Sequence, residues 1–375
     1  MRAPIGSVRY RTVWTPFDEE MREAMLRPTP GPIYYDGPEV EAFEREAASY
    51  LGVAHALGVG SGTAALYLAM LALGLGPGHE VIVPANAYLA PAECTIQVGA
   101  RPVYCDVRED TANLDASTVG PLLSRRTRAI VVVHTYGHPV DMDPLLNLAR
   151  RERIYVIEDV AHALGGTYKG RMLGSIGDAA AASFARKGVT VAGQGGMVFT
   201  GDQEVYRRMV RLHRHGWDRG DAYRTAVHAV GFNHTLSESL AAVGRVSLGR
   251  LRANNRMRAD NARRYTEGLG RRGVPVRPFA VMPWGEHAWL HYVVRAPNRD
   301  ALRRFLGERG IEAGIHYRSL VYRTPAYVSR TGEDPGPRPV TDRLVEEILT
   351  LPSHPDMGDG VEDVMNEVAE FYAAP

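Results

Sequence analysis

The sequence predicts an α/β protein whose sheet is mostly parallel, and two observations lead to this prediction. Helical patterns alternate with short β-rich runs, bounded by glycine and proline, from about Val40 to Phe199. Such alternation is typical of βα units on a parallel sheet. The run Ala129–His134 has no polar alternation, as expected of a central strand covered on both faces. The length of 375 residues favours two or three domains, at about 150 residues per domain.

The individual elements of this first part follow from the same patterns. The predicted helices are Val40–Leu51, Gly62–Leu73 and Val140–Arg150. The predicted strands are Glu80–Pro84, Pro102–Asp106, Ala129–His134 and Ile154–Glu158. Ligand chemistry is expected at the carboxyl ends of such strands, because parallel strands end at one edge of the sheet.

The C-terminal part differs in character, and we therefore expect a second domain. A long, arginine-rich helical stretch runs from Leu236 to about Gly270. We expect residues 1–248 to form an N-terminal segment and a large domain, and residues 249–375 to form a small domain. The remaining predicted elements are a strand at Tyr292–Arg295, helices at Arg299–Arg309 and Thr341–Thr350, and a surface loop at Thr331–Pro339.

Composition excludes several classes of protein. Apolar residues make up 45% and charged residues 23%, which is typical of a folded globular chain. The 44 basic and 43 acidic residues leave a net charge of +1, which favours neither nucleic acid nor an anionic membrane as partner. The longest nearly apolar run, Ala64–Gly76, is too short to span a bilayer. Cys94 and Cys105 fit no metal or disulfide spacing, so we expect a cytoplasmic protein without a bound metal.

Lysine is almost absent. Of the 44 basic residues, 42 are arginine and two are lysine, Lys169 and Lys187. A GC-rich genome explains the bias, and surface charge tolerates the exchange. Amine chemistry does not tolerate it, because a guanidinium stays protonated and cannot form a Schiff base. A lysine that is still present is therefore a candidate for a chemical role.

The segment Gly58–Ala64 opens a helical pattern with three glycines, Gly58, Gly60 and Gly62. Backbone N–H groups of such a turn at a helix N-terminus can bind a phosphate. The segment is neither a Walker A loop nor a GxGxxG motif. A tight structural turn is an equally good interpretation.

The segment Ile157–His162 places Asp159 just past a predicted buried strand. A carboxylate there suits a cationic heterocycle nitrogen, which it would keep protonated. The alternative for Asp159 is a helix N-cap. His162 is either a donor that faces a ligand or a core histidine.

The segment Ser183–Gly196 combines a hydroxyl, Lys187 and a second set of glycine turns. A lysine in such a place can attack an aldehyde. Lys169 lies in a polar turn and is expected to be a solvated turn residue. Tyr88 follows a predicted strand, where its ring either stacks on a ligand or packs in the core. A phosphate cradle, an acid, an aromatic face and an amine are together what pyridoxal phosphate (PLP) requires.

With these residues the chain resembles the DegT/DnrJ/EryC1/StrS family of PLP-dependent sugar and cyclitol aminotransferases. The motifs occur in family order over nearly the whole chain. They are Gly37–Glu44, Gly60–Thr63, His134–Asp143, Glu158–Gly165, Gly231–Asn233 and Leu351–Pro355. The resemblance implies fold type I, with a mostly parallel seven-stranded sheet in the large domain and a smaller C-terminal α+β domain.

The resemblance also implies roles for individual residues. Gly62, Thr63 and Ser183 would bind the phosphate, Asp159 would pair with the pyridine nitrogen, and His162 would lie near the phenolic oxygen. Tyr88 would cover the ring, and Lys187 would be the Schiff-base lysine. Asn233 would reach the phosphate in the partner's site of a homodimer, and His316 and Tyr317 would border the sugar pocket.

The implied reaction converts a keto sugar or keto cyclitol to its amino product, with glutamate or glutamine as donor. Secondary-metabolite (antibiotic) or cell-surface sugar biosynthesis would be the context. The chain departs from the family at two places. Relatives usually carry the lysine where this chain has Gly188, and commonly an arginine at Thr235. A PLP- or pyridoxamine-dependent dehydratase or other lyase, and a cofactor-binding pseudoenzyme, are therefore alternatives.

Overall fold

A computed structural model describes residues 8–13, 17–28, 31–219, 225–331 and 336–373. The helices are α1 (Glu19–Leu26), α2 (Pro38–Leu51), α3 (Gly62–Ala72), α4 (Leu89–Gln97), α5 (Ala116–Val119), α6 (Met142–Glu152), α7 (Gln203–His213), α8 (Glu238–Arg271), α9 (Arg299–Glu308), α10 (Pro325–Thr331), α11 (Pro339–Glu347) and α12 (Gly360–Ala373). The strands are β1 (His55–Val59), β2 (Glu80–Pro84), β3 (Arg101–Cys105), β4 (Thr127–Val133), β5 (Tyr155–Asp159), β6 (Thr167–Tyr168), β7 (Arg171–Met172), β8 (Ala179–Ser183), β9 (Gly196–Thr200), β10 (Arg277–Pro278), β11 (Gly285–Glu286), β12 (Tyr292–Arg295) and β13 (Ile348–Leu351). No helix in these ranges is both long and apolar enough to cross a membrane.

The large sheet has seven strands in the order β1-β9-β8-β5-β4-β2-β3. The pairs from β8 to β3 are parallel, whereas β9 runs antiparallel to both β8 and β1. The predicted α/β fold class and the mostly parallel sheet are confirmed.

Helices cover this sheet on both faces, and the central strands show why. Along β4, Ile130 and Val132 belong to one apolar cluster together with α2 and α6 residues. Ala129, Val131 and Val133 belong to the other, together with α3 and α4 residues. Successive side chains of a strand alternate between faces, so an uninterrupted apolar run is what a doubly covered strand needs.

One predicted helix is wrong in its last three residues. The predicted helix Thr341–Thr350 ends in the structure at Glu347, and the chain continues as strand β13. β13 pairs antiparallel with β12 in a small sheet of order β10-β12-β13. All four residues of β13 are buried, and pairing with β12 satisfies their backbone groups, which overrides the helical pattern.

The C-terminal part builds its own apolar cluster. Helix α8 begins beside the large sheet and continues for 34 residues. Its C-terminal half contributes Ala262, Tyr265 and Leu269 to a cluster with β12, β13, α9 and α12. The predicted domain boundary at residue 248 falls inside this helix and stays a prediction.

The carboxyl ends of the central parallel strands meet at one edge. Val133 of β4 is opposite Asp159 of β5, and Asp159 is opposite Ala181 of β8, two residues before the strand ends at Ser183. This register places Asp159 beside Ser183 and the loop that carries Lys187.

Glu158, a buried carboxylate next to Asp159, binds the segment between β7 and β8 at this edge of the sheet. Glu158 Oε1 accepts the N–H groups of Ile176 and Gly177, both at 2.7 Å, and Oε2 accepts the N–H of Gly174 at 2.9 Å. His134 completes the set, with Nε2 at 3.1 Å from Oε2. Burial alone would raise the pKa of Glu158, but the bonds from His134 and the backbone hold it below its usual value.

Replacing this carboxylate by an amide is expected to weaken the fold. In Glu158→Gln, the amide nitrogen would face backbone N–H groups that have a carboxylate acceptor in the parent, and an unsatisfied buried group costs about 1–3 kcal/mol. We expect a loss of that size in the free energy of unfolding, measured by urea denaturation. Glu346→Gln is the control, since Glu346 is 79% exposed. Equal unfolding curves for the two variants would contradict this assignment.

Candidate active site

A cavity of about 460 Å³ lies at the carboxyl edge of the large sheet. It is lined by nine of the ten site residues predicted from the sequence, and Asn233 is the exception. The nine are Gly62, Thr63, Tyr88, Asp159, His162, Ser183, Lys187, His316 and Tyr317.

The N-terminus of α3 forms one wall of this cavity. Ser61 caps the helix, and its Oγ accepts the N–H of Ala64 at 3.1 Å. The first N–H groups, those of Gly62 and Thr63, have no intrahelical acceptor. A Cβ at Gly62 would lie 2.6 Å from Ser183 Cβ, so glycine lets β8 approach the helix end. Free N–H groups beside the hydroxyls of Thr63 and Ser183 fit a phosphate.

Asp159 is the last residue of β5 and is 8% exposed. Its Oδ1 accepts one hydrogen bond, from the N–H of Ala161 at 2.9 Å. No helix begins in the described residues directly after it, so it is not an N-cap. Burial raises the pKa of Asp159, although Lys187 and the Ala161 bond oppose this. A buried carboxylate with so few partners fits a protonated ring nitrogen, which would supply the missing positive charge.

The hydrogen bonds of His162 define its tautomer. Nδ1 accepts the backbone N–H of Tyr136 at 3.3 Å, so the ring proton lies on Nε2. Nε2 is 2.9 Å from the Tyr317 hydroxyl and therefore donates to it. The Tyr317 O–H then remains available to donate elsewhere. Burial, together with nearby Lys187 and His316, holds the pKa of His162 well below its usual value, so the ring is neutral.

Lys187 lines the cavity in spite of its unusual register. Arg186, just before it, has a left-handed φ of 54°, which turns the chain after β8. A Cβ at Gly188, where relatives usually carry the lysine, would lie 3.3 Å from Leu251 Cδ1 of α8. The loop therefore presents residue 187 to the cavity and residue 188 to α8. Burial lowers the pKa of Lys187 to about 8, with Asp159 opposing and Arg186 reinforcing the shift.

Of the three residues that remain, Tyr88 lines the cavity, whereas Lys169 and Asn233 do not. Tyr88 is 54% exposed, and its ring centroid lies 5.3 Å from that of Tyr317. Lys169 lies in the turn between β6 and β7, where its Nζ pairs with Asp143 at 2.6 Å. Asn233 is exposed and forms a β-bridge with Arg214.

Several cavity residues were not predicted from the sequence, and Asn86, His291 and Glu312 are charged or polar examples. His291 is 3% exposed, and neither ring nitrogen has a partner among the described residues. Its ring stacks on His316, with centroids 4.1 Å apart. These residues follow no local motif. Only tertiary packing brings β12 and the segment after α9 against the large sheet.

The comparison with known proteins gives consistent results. The sequence model of the DegT/DnrJ/EryC1/StrS aminotransferase family matches residues 17–369. The dTDP-3-amino-3,4,6-trideoxy-alpha-D-glucose transaminase of Streptomyces venezuelae is 40% identical over 328 residues, which cover 86% of this chain and 84% of that protein.

Solved structures agree with the fold. The crystal structure of S. venezuelae DesV matches with a TM-score of 0.90 and 36% identity, covering 96% of each chain. The PLP form of Spr1654 from Streptococcus pneumoniae matches with a TM-score of 0.88 and 26% identity, covering 97% of this chain and 99% of that one. The predicted fold type, enzyme class and cofactor are confirmed.

The pKa of Lys187 predicts how its amine reacts. Because only the neutral amine is nucleophilic, acylation of Lys187 in cofactor-free protein is expected to rise with pH and to level off above about 8, the lowered value. Lys169 is the internal control, because its hydrogen bond to Asp143 raises its pKa. Trace acylation followed by peptide mass spectrometry measures both. If the labelling of Lys187 has its midpoint near the ordinary pKa of a lysine side chain, the amine does not lie in this buried site.

Proposed function

The chain belongs to the DegT/DnrJ/EryC1/StrS aminotransferase family, and on this premise we propose that it converts a keto sugar or keto cyclitol to the corresponding amino compound. A nucleotide-linked sugar is the favoured acceptor, since a relative at 40% identity is named for a dTDP-linked amino sugar. Secondary-metabolite or cell-surface sugar biosynthesis is the proposed context. Glutamate or glutamine is the proposed amino donor.

One observation carries the proposal most directly: Lys187 lines the same cavity as Asp159 and the α3 N-terminus. Lys169 is exposed and paired with Asp143, so it does not compete for this role. PLP supplies an aldehyde for a lysine amine and an electron sink for the substrate carbon. The cavity residues fit the group, with an anion cradle at one end and a buried carboxylate in the wall.

Each residue then has a proposed task. The N–H groups at the start of α3, with Thr63 and Ser183, would bind the phosphate. Asp159 would keep a proton on the ring nitrogen, and the exposed Tyr88 ring would cover one face of the pyridine ring. Lys187 would hold the cofactor covalently in the resting enzyme.

During the reaction, Lys187 would serve as the general base and acid. A pKa of about 8 suits this work, because a group that titrates near the working pH both accepts and returns a proton efficiently. Neutral His162 would donate its Nε2 proton to Tyr317 and so orient the Tyr317 hydroxyl toward the cavity. Asp159 raises the pKa of Lys187 and Lys187 lowers the pKa of Asp159, because each charge stabilises the other.

The lyase alternative rests on a lysine that is out of place. The position of Lys187 in the cavity, with Gly188 against Leu251, supports the aminotransferase over this alternative. A pseudoenzyme would need neither an amine of lowered pKa nor an acidic partner for it.

We also propose a homodimer in which Asn233 of one protomer reaches the phosphate in the partner's cavity. Asn233 is exposed and lies outside its own cavity. Ile33, Tyr34 and Tyr35 are 51%, 62% and 48% exposed, which is a large apolar area to leave in water and favours an interface.

Removal of the proposed catalytic amine tests the function. Lys187→Ala is expected to reduce the turnover of donor amino acid by about 10²–10⁴-fold, since the variant lacks the proton-transfer group. The measurement is formation of the 2-oxo acid by purified holoenzyme, followed by mass spectrometry. In the parent protein, borohydride reduction should attach the cofactor to Lys187.

Lys169→Ala is the matched control and is expected to keep parent turnover, because Lys169 lies outside the cavity. Equal turnover in Lys187→Ala and the parent would refute the aminotransferase mechanism. Cofactor attached to Lys169 after reduction would refute the assignment of the lysine.

A further inference from the structure

We propose that the amino donor is L-glutamine and that Glu312 selects it over L-glutamate. This inference rests on the proposed aminotransferase function and goes beyond it, because it assigns a residue to donor choice. Glu312 belongs to no motif in the sequence, and the structure brings it into the cavity.

The backbone around Glu312 decides where its side chain points. Ile311 and Ala313 are 2% and 5% exposed and lie in the apolar cluster of the C-terminal part. The segment is extended, since Ile311 bridges to Tyr10 and Gly314 bridges to Thr350. Alternate residues of an extended segment face opposite sides. Glu312 therefore points away from that cluster, and it lines the cavity, as does His316.

The neighbouring contacts hold Glu312 in this orientation. Its backbone N–H donates to the Tyr10 carbonyl at 2.8 Å. A Cβ at Gly314 would lie 2.9 Å from His316 Cε1 and 3.4 Å from Thr12 Cγ2. Thr12 and the His316 ring are thus packed on the same side of the segment, and both line the cavity with Glu312.

One oxygen of the Glu312 carboxylate lacks a partner. Oε2 is inaccessible to solvent and has no hydrogen-bond partner among the described residues. A carboxylate is an acceptor only, and buried polar groups in native proteins are nearly always paired. A ligand that carries an N–H or O–H donor would satisfy this oxygen once the Glu312 side chain turns toward the cavity that it lines.

The histidines around the cavity do not offset the negative charge of Glu312. Burial lowers the pKa of His316 to about 4, and His316 Nδ1 lies 2.8 Å from Thr350 Oγ1. Burial also holds the pKa of His291 and of His162 well below the usual value. All three rings are neutral at physiological pH.

Positive charge in the cavity lies at Arg186 and Lys187. Arg186 is exposed and lines the cavity, and it lies near enough to Lys187 to lower the pKa of that amine. The α-carboxylate of an amino acid is one bond from the carbon whose amine exchanges with Lys187. Arg186 is therefore the proposed partner of the α-carboxylate, by charge-assisted hydrogen bonds.

The side chain of the donor must then match Glu312. The γ-amide of glutamine offers two N–H donors to Oε2, whereas the γ-carboxylate of glutamate would bring a second negative charge to it. Like charges placed together are a strong means of rejecting a ligand. The same oxygen can accept a hydroxyl of the sugar or cyclitol, which occupies the cavity in the other half-reaction.

The overall transfer is balanced. Glutamine loses its α-amino group and the hydrogen on Cα, is oxidised by two electrons, takes its new carbonyl oxygen from water and leaves as its 2-oxo acid amide. The keto carbon of the acceptor gains the amino group and a hydrogen, is reduced by two electrons, and its carbonyl oxygen leaves as water. The Cα proton goes to Lys187, which later returns a proton to the acceptor carbon.

The first experiment compares the two donors on the parent holoenzyme. With L-glutamine or L-glutamate alone, 2-oxo acid formation is followed by mass spectrometry in a single turnover. We expect the apparent kcat/KM for L-glutamine to exceed that for L-glutamate by about tenfold or more, which corresponds to about 1.4 kcal/mol. Equal or better use of L-glutamate would overturn the proposal.

The second experiment assigns the preference to Glu312. Glu312→Gln removes the negative charge at nearly constant shape. We expect it to reduce the ratio of kcat/KM for L-glutamine to kcat/KM for L-glutamate at least about tenfold, mainly by improving the use of L-glutamate. Glu308→Gln is the matched control, because Glu308 is exposed on α9 and lies outside the cavity. An unchanged ratio in Glu312→Gln would overturn the role of this residue.

A binding measurement separates donor choice from the reaction itself. α-Methyl-L-glutamine and α-methyl-L-glutamate lack the Cα hydrogen and cannot be converted, so their dissociation constants report recognition alone. The parent is expected to bind the glutamine analogue more tightly, and Glu312→Gln is expected to lose this difference. If neither natural donor yields a 2-oxo acid, the proposed function fails, while the analogue constants still support or overturn the selection by Glu312.

Discussion

The site depends on two adjacent carboxylates at the end of β5 that face opposite sides of the large sheet. Glu158 faces the side of Val156, where three backbone N–H groups and His134 satisfy it. Asp159 faces the other side, where one backbone N–H is its hydrogen-bond donor. Because successive side chains of a strand face opposite sides, the two carboxylates have different surroundings. Glu158 is a structural anion, and Asp159 faces the cavity. Because they are neighbours, the bonds that fix Glu158 also fix the backbone of Asp159.

The same edge explains why the lysine register tolerates a shift. β8 ends at Ser183, and the loop returns to the sheet at Gly196, where β9 begins. A Cβ at Gly196 would lie 2.4 Å from the Ser61 carbonyl oxygen, so the loop end is tightly constrained by α3. Between these points the left-handed Arg186 sets which residue faces the cavity. The local backbone conformation therefore indicates which residue faces the cavity better than the number of residues counted from Ser183 does.

Sequence patterns predicted what is local and missed what is remote. β2 and β12 were predicted to the residue, because each is a short apolar run bounded by turn residues. Asp159 was predicted as a site residue, since a strand end is visible in the sequence. His291 and Glu312 were not predicted, because they reach the cavity only through the packing of the C-terminal part against the large sheet. β13 was missed for a similar reason, since its partner β12 lies more than fifty residues earlier.

The chemistry of the cavity wall follows from how few full charges it holds. An aminotransferase accepts two unlike substrates in turn, so a wall suited to only one of them would slow the other half-reaction. Neutral imidazoles can both donate and accept, and they accommodate hydroxyls or amides without a charge penalty. His291 is such a ring, and neither of its nitrogens has a hydrogen-bond partner among the described residues. Asp159, Lys187 and Arg186 each have a defined counterpart in the proposed reaction. Glu312 adds a fourth charge to the wall, which is why it can distinguish donors that differ in one charge.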